Sequence, residues 1–188
     1  MRQQGCRFSF RSDEMWHHAP EHRLAATGAY MVTAGTYQRV PLFASPERRD
    51  ALQSMLFELA ERYSWNLQAW AILANHYHFI ATKQPDADSL PAFIRALHAR
   101  TAVEANRADQ TPGRKVWFQY WDSHITFPRS YYARLNYVHN NPVHHRAVAR
   151  AADYPWCSAG WFEREATSSF HRMVIGFRYD RIDVPDDY

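Results

Sequence analysis

The stretch "NLQAWAILANHYHFIAT", residues 66–82, decides how this chain is read. Two apolar, strand-favouring runs flank Ala74 and Asn75, a pattern that predicts a β-hairpin turning at those two residues. His76 and His78 stand one residue apart at the start of the second run. Successive side chains on a strand point to opposite faces, so these two rings share a face about 7 Å apart along the chain. Polar rings in an apolar strand need partners, because an unpaired buried polar group costs about 1–3 kcal/mol. Two readings follow: a hydrogen-bonded structural pair, or two imidazoles sharing one metal ion.

Working outward, "GAYMVTAGTY" (28–37) reads as a strand, and "PLFASPERRDALQSMLFELAERY" carries a helix. Ser45 suits its N-cap and Pro46 its first position, with Leu52, Met55, Leu56, Leu59, Ala60 and Tyr63 forming one apolar face. A second helix is expected over Leu90 to Asn106, with Phe93, Ile94 and Leu97 turned inward. "QTPGR" is a loop, "KVWFQYWDSHITF" a strand and "RSYYARLNYVHNN" a third helix. This order, β-α-β-β-α-β-α, predicts an α+β fold, an antiparallel sheet with helices packed on one face. The chain divides into an arm (1–25), one domain (26–163) and an extension (164–188).

Composition bounds the function. The 188 residues are 46% apolar and 15% aromatic, enough for one domain with its own core. No run of 18 uncharged apolar residues occurs, and "MRQQGCRFSF" lacks a signal-peptide core, so a cytoplasmic protein without a membrane span is expected. Cys6 and Cys157 match no zinc or disulfide pattern. Net charge is +3, and Lys83 and Lys115 are the only lysines. The arginine-dominated balance is compatible with phosphate binding, as it is with a simple compositional bias.

The third helix offers further chemistry. In "YYARLNYVHNNPVHH", Tyr131, Leu135 and Val138 form the apolar stripe, while Tyr137 and Asn141 share a shoulder that also carries Arg134. Pro142 disfavours helical geometry at Asn141, so the helix is expected to end there, with the carboxamide reaching outward. Tyr132 and Asn136 have the same spacing on the opposite shoulder, about 140° away, and periodicity does not choose between the pairs.

Taken together, "NHYHFIAT", "LNYVHNNPVHHRAV", "YMVTAGTYQRVPLF", "VWFQYWDSHIT" and "ADYPWCSAGWF" resemble the REP-associated tyrosine transposases, one-tyrosine members of the HUH (His, hydrophobic, His) endonucleases. The resemblance spans about 28–162. It implies a ferredoxin-like domain that cuts and rejoins single-stranded DNA at or near palindromic hairpins, acting as a monomer or homodimer. On this resemblance His76 and His78 match the metal pair, Asn141 the third ligand and Tyr137, rather than Tyr132, the nucleophile. Asparagine at 141, where insertion-sequence relatives commonly have glutamine, agrees with the REP-associated branch. Ala74 replaces a usual proline in the turn.

The implied chemistry is physically coherent. A tyrosine hydroxyl with a pKa near 10 is a weak nucleophile, and a phosphodiester repels anions. Mg²⁺ or Mn²⁺ held by two imidazoles and a carboxamide would polarise the phosphate, the nitrogen donors suiting Mn²⁺ better. Arg134, Trp117 and Tyr120 are candidates for DNA contact, since aromatic rings stack on unpaired bases, although alternating aromatics in a strand also build cores. A non-catalytic hairpin-binding module on the same fold is the competing class. A barrel-type metallohydrolase needs a longer chain.

Overall fold

A computed structural model describes residues 27–179. The elements are β1 (Ala29–Thr36), α1 (Pro46–Arg62), β2 (Trp65–Ile72), β3 (His76–Lys83), α2 (Leu90–Ala108), β4 (Trp117–Ile125), α3 (Pro128–His144), α4 (Ala159–Glu165) and α5 (Ser168–Ile175). One-turn 3₁₀ segments occupy Tyr37–Arg39 and Ala151–Asp153. The expected hairpin is β2–β3, and α1 begins at Pro46 with the Ser45 hydroxyl accepting from the Arg48 amide.

The four strands form one antiparallel sheet in the order β2-β3-β1-β4. β1-α1-β2 and β3-α2-β4 are interleaved crossovers, the split arrangement of a ferredoxin-like α+β fold. Strand alternation then divides the sheet. Tyr77, Phe79 and Ala81 of β3 join Leu52, Leu56, Leu59, Phe93, Ile94 and Leu97 of α1 and α2 in one core. Ile80 faces the other way, into a second core with Tyr131, Leu135 and Val138 of α3.

The sheet is therefore covered on both faces, where helices on one face were expected. α1 and α2 obey the expectation, and α3 lies across the opposite side. The reason is visible in β2 and β3, which are buried along almost their whole length and so have no face to give to water. Each fully buried Leu, Val or Ile of this second core contributes roughly 1.5–3 kcal/mol.

α3 also departs from its expected end, running past Pro142 to His144. A proline one turn from a helix end removes a bond to the carbonyl four residues back, here Val138. The buried Cys157 thiol lies 3.7 Å from that oxygen and 3.4 Å from the His139 carbonyl, and donates to them instead. Burial pushes this thiol up to about 12, which suits a proton donor and not a reactive group. The segment 156–158 also completes the outer edge of β2, through Ile72 N–H to Trp156 O at 3.0 Å and Ser158 N–H to Trp70 O at 2.9 Å. Cys6 lies outside the described residues, as does the whole N-terminal arm, 1–25. The expected extension is partly structured: α5 buries Phe170 and Val174 against α3. Among the described residues no helix is long and apolar enough to cross a membrane.

Candidate active site

His76 and His78 project from β3 toward α3, on the face opposite Tyr77, whose hydroxyl meets His98 Nε2 at 2.9 Å in the other core. Both histidines are buried, and their ring centroids are 5.3 Å apart. Each outer ring nitrogen has a fixed neighbour. Asn75 Oδ1 lies 2.8 Å from His76 Nδ1, and Thr33 Oγ1 lies 2.7 Å from His78 Nδ1. A carboxamide oxygen only accepts, so His76 carries its proton on Nδ1 and turns an Nε2 lone pair inward. Such an arrangement is the usual support for a metal-bound imidazole.

α3 supplies the opposing wall. The Tyr137 ring stands edge-on to His78 at 5.4 Å, and the His145 ring, just past the helix end, lies 4.6 Å from His76. Tyr137, Asn141 and His145 follow one another at four-residue steps, a rise of about 6 Å each. That nearly equals the His76–His78 step along β3. Asn141 therefore falls between the two contacts, over the histidine pair. It is fully buried, in the last helical turn, and not at a helix terminus reaching outward as the position of Pro142 had suggested.

Two imidazoles and one carboxamide form a neutral donor set. Among the described residues no three His, Cys, Asp or Glu side chains are grouped to hold a metal, and the buried Asn141 carboxamide is an oxygen donor on the facing helix. With both Nδ1 positions engaged, this donor set would suit a divalent ion.

The rival pair lies elsewhere. Tyr132 packs against Phe170 and Phe177, and Asn136 Nδ2 donates to the carbonyls of Ile175 and Phe177. That shoulder is occupied by the C-terminal segment. Arg134 sits one turn before Tyr137, half-buried, donating to Ser130 Oγ. Its Nε is buried without a hydrogen-bond partner among the described residues, and burial pushes its guanidinium below the ordinary range. A cation so placed favours an incoming anion.

The strand aromatics divide by face. Trp117 is a core residue, its indole donating to Thr101 Oγ1 at 2.9 Å between Phe43 and His98. Tyr120 stands near His98 on the same side. Neither of these two candidates for DNA contact lies on the histidine face. Two residues near the site were not singled out from sequence. His145 was legible as the next four-residue step after Asn141, whereas Tyr179, whose ring is 6.0 Å from that of Tyr137, follows no local pattern.

Structural comparison matches the chain to a solved REP-associated tyrosine transposase bound to a REP hairpin, with a TM-score of 0.59 over 73% of this chain and 80% of that one, at 19% identity. The fold is that of a REP-associated tyrosine transposase. A candidate transposase from Deinococcus radiodurans R1 is matched over 52% of this chain and 78% of its own, at 19% identity and a TM-score of 0.41. No protein-family model and no curated protein matches the sequence. On this transposase fold, the strand that carries the histidines is the second of the central hairpin, and the tyrosine-bearing helix is the one added to the ferredoxin-like unit.

Proposed function

We propose that this protein is a metal-dependent single-stranded DNA endonuclease and strand transferase, acting at or near palindromic hairpins with Tyr137 as nucleophile. The observation that carries the reading is the facing of Tyr137 on α3 and His145 just past its end with His78 and His76 on β3, Asn141 lying between. A structural histidine pair needs ring-nitrogen partners, which Asn75 and Thr33 supply; it does not need a tyrosine and a carboxamide opposite.

His76, His78 and Asn141 would hold the ion. When bound, Mg²⁺ or Mn²⁺ supplies Lewis-acid polarisation of the scissile phosphate. The chain's own groups do the rest. Asn75 and Thr33 fix the imidazoles, and Arg134 attracts the phosphate and offsets charge developing on it. Tyr137 Oη forms a bond to phosphorus as the bond to the 3′-oxygen breaks. The proton lost by the phenol is balanced by the one gained at the 3′-hydroxyl, leaving a 5′-phosphotyrosine. Attack by a 3′-hydroxyl reverses these changes and rejoins the strand, so no nucleotide cofactor is consumed. A solved chain of this fold binds a REP hairpin, which supports hairpin DNA as the substrate class.

The test is covalent capture. With Mn²⁺ and single-stranded REP-type hairpins carrying a free 5′ flank, wild-type protein should form an adduct resistant to boiling in detergent and mapped to Tyr137. Tyr137→Phe should abolish it and Tyr132→Phe should leave it nearly intact. An adduct on Tyr132 overturns the assignment. Hairpin binding without any adduct, across many hairpins, overturns the enzyme in favour of a binding module.

A further inference from the structure

The sheet face that bears the histidines continues beyond them. Thr33 pairs with His78 on one side and with Trp121 on the other, so the three side chains stand in one row across β3, β1 and β4. With strands about 4.8 Å apart, Trp121 lies about 10 Å to the side of His78. α3 runs mainly over β2 and β3, and among the described elements none lies over the β4 side of this face to the same extent.

That side is aromatic. A register shift between Ala34 and Thr36 sets an extra residue of β4 against β1 and turns Phe118 onto the histidine face beside Trp121, ring centroids 6.1 Å apart. Tyr37 continues the series, 6.5 Å from Phe118. Phe118 on β4 is 49% exposed, and Tyr37, in the 3₁₀ turn after β1, is 37% exposed. Edge strands ordinarily carry charge and avoid such rings. Lys115 places its ammonium 4.5 Å from the Tyr37 ring centre and 5.5 Å from that of Phe118. The series also runs alongside the histidine pair. Trp121 is level with His78, and Tyr37 follows Thr36, whose amide bonds the carbonyl of Asn75, the residue that holds His76.

We infer that Trp121, Phe118 and Tyr37 form a stacking shelf for unpaired bases of single-stranded DNA, with Lys115 meeting its backbone. The inference rests on the proposed nuclease reading and adds to it the route by which the strand reaches the phosphate site. Separate exposed rings can stack on base faces, which are free only in an unpaired strand, and an ammonium beside them suits the phosphates between. Duplex DNA hides those faces.

The test uses the full chain in EDTA, so that neither metal nor cleavage enters, and a fluorescent oligothymidylate. Phe118→Ala and Trp121→Ala should each weaken binding about 5- to 100-fold, the range expected for one stacked base. Phe118→Tyr, which keeps the ring, should bind like wild type, as should Tyr132→Phe on the opposite shoulder of α3. Thermal midpoints show that each variant is folded. A second measurement does not depend on substitution: irradiating wild type with an oligonucleotide containing 5-iododeoxyuridine should place crosslinks on Trp121, Phe118 or Tyr37. Unchanged affinity in both alanine variants, or crosslinks only outside the shelf, overturns the shelf while leaving covalent capture at Tyr137 to stand. Normal shelf binding without capture overturns the nuclease and spares the shelf.

Discussion

Thr33→Val replaces one hydroxyl by a methyl of nearly equal size, and it removes the 2.7 Å hydrogen bond to His78 Nδ1 inside a buried site. Two effects should follow. First, a buried ring nitrogen loses a bond it now has, which costs about 1–3 kcal/mol, or about 2–12 °C in melting temperature for a domain of this size. Second, the ring loses its outer support, and such losses weaken metal binding about 10- to 100-fold, or about 1.4–2.8 kcal/mol. The two separate in a pair of melts. Without metal only the first appears; with Mn²⁺ at a concentration that saturates wild type, the variant should show a further deficit in metal stabilisation. Titration calorimetry with Mn²⁺ reads the affinity directly, and Thr33→Ser should recover most of it. If Thr33→Val binds Mn²⁺ within twofold of wild type while the protein remains folded, the hydroxyl does not support a metal ligand, and the histidine pair loses its claim to be one.

Stability should also fall in mild acid. Burial beside Trp117 lowers His98 to about 4 from its ordinary 6.5. Between those values the unfolded chain binds the extra proton, so this group removes about 2 kcal/mol as pH falls from 7 to 5. Urea midpoints should show the loss, and His98→Gln should flatten that part of the profile; an unchanged slope would exclude His98 as its source. Gly28 has φ +79°, and a Cβ there would stand 2.5 Å from His124 Nε2 and 2.7 Å from the Ile125 carbonyl. Gly28→Ala should therefore destabilise by more than about 1 kcal/mol in denaturant melts; a neutral result would mean that the start of β1 is free to shift.

Much of this architecture is written in local patterns. Ser45-Pro46 marks the start of α1, and the alternation around Ala74-Asn75 gives the central hairpin and the common face of His76 and His78. The same alternation, read along β4, did not say which of Trp117, Phe118, Tyr120 and Trp121 face the histidines, because one inserted residue changes the side on which Phe118 falls. Pro142 misled for a different reason. A proline's rule concerns its own helix, whereas the compensating donor, Cys157, comes from a loop that local sequence does not place beside Val138. The packing of α3 on the second sheet face depends likewise on tertiary burial. Resemblance favours Tyr137 over Tyr132; in three dimensions the C-terminal segment occupies the shoulder that carries Tyr132 and Asn136.

The equal steps of helix and strand bear on what kinds of sequence change the site can survive. Four residues of α3 span about the same length as two residues of β3, so two different periodic rulers are aligned at both ends. A substitution alters one mark on one ruler. A single residue inserted between Tyr137 and His145 turns everything beyond it by about 100°, and a single residue inserted between His76 and His78 sends one ring to the far side of the sheet. The two segments can therefore drift in composition but not in length, and the spacing of four between Tyr137 and Asn141 is as much a part of the site as the side chains that it separates.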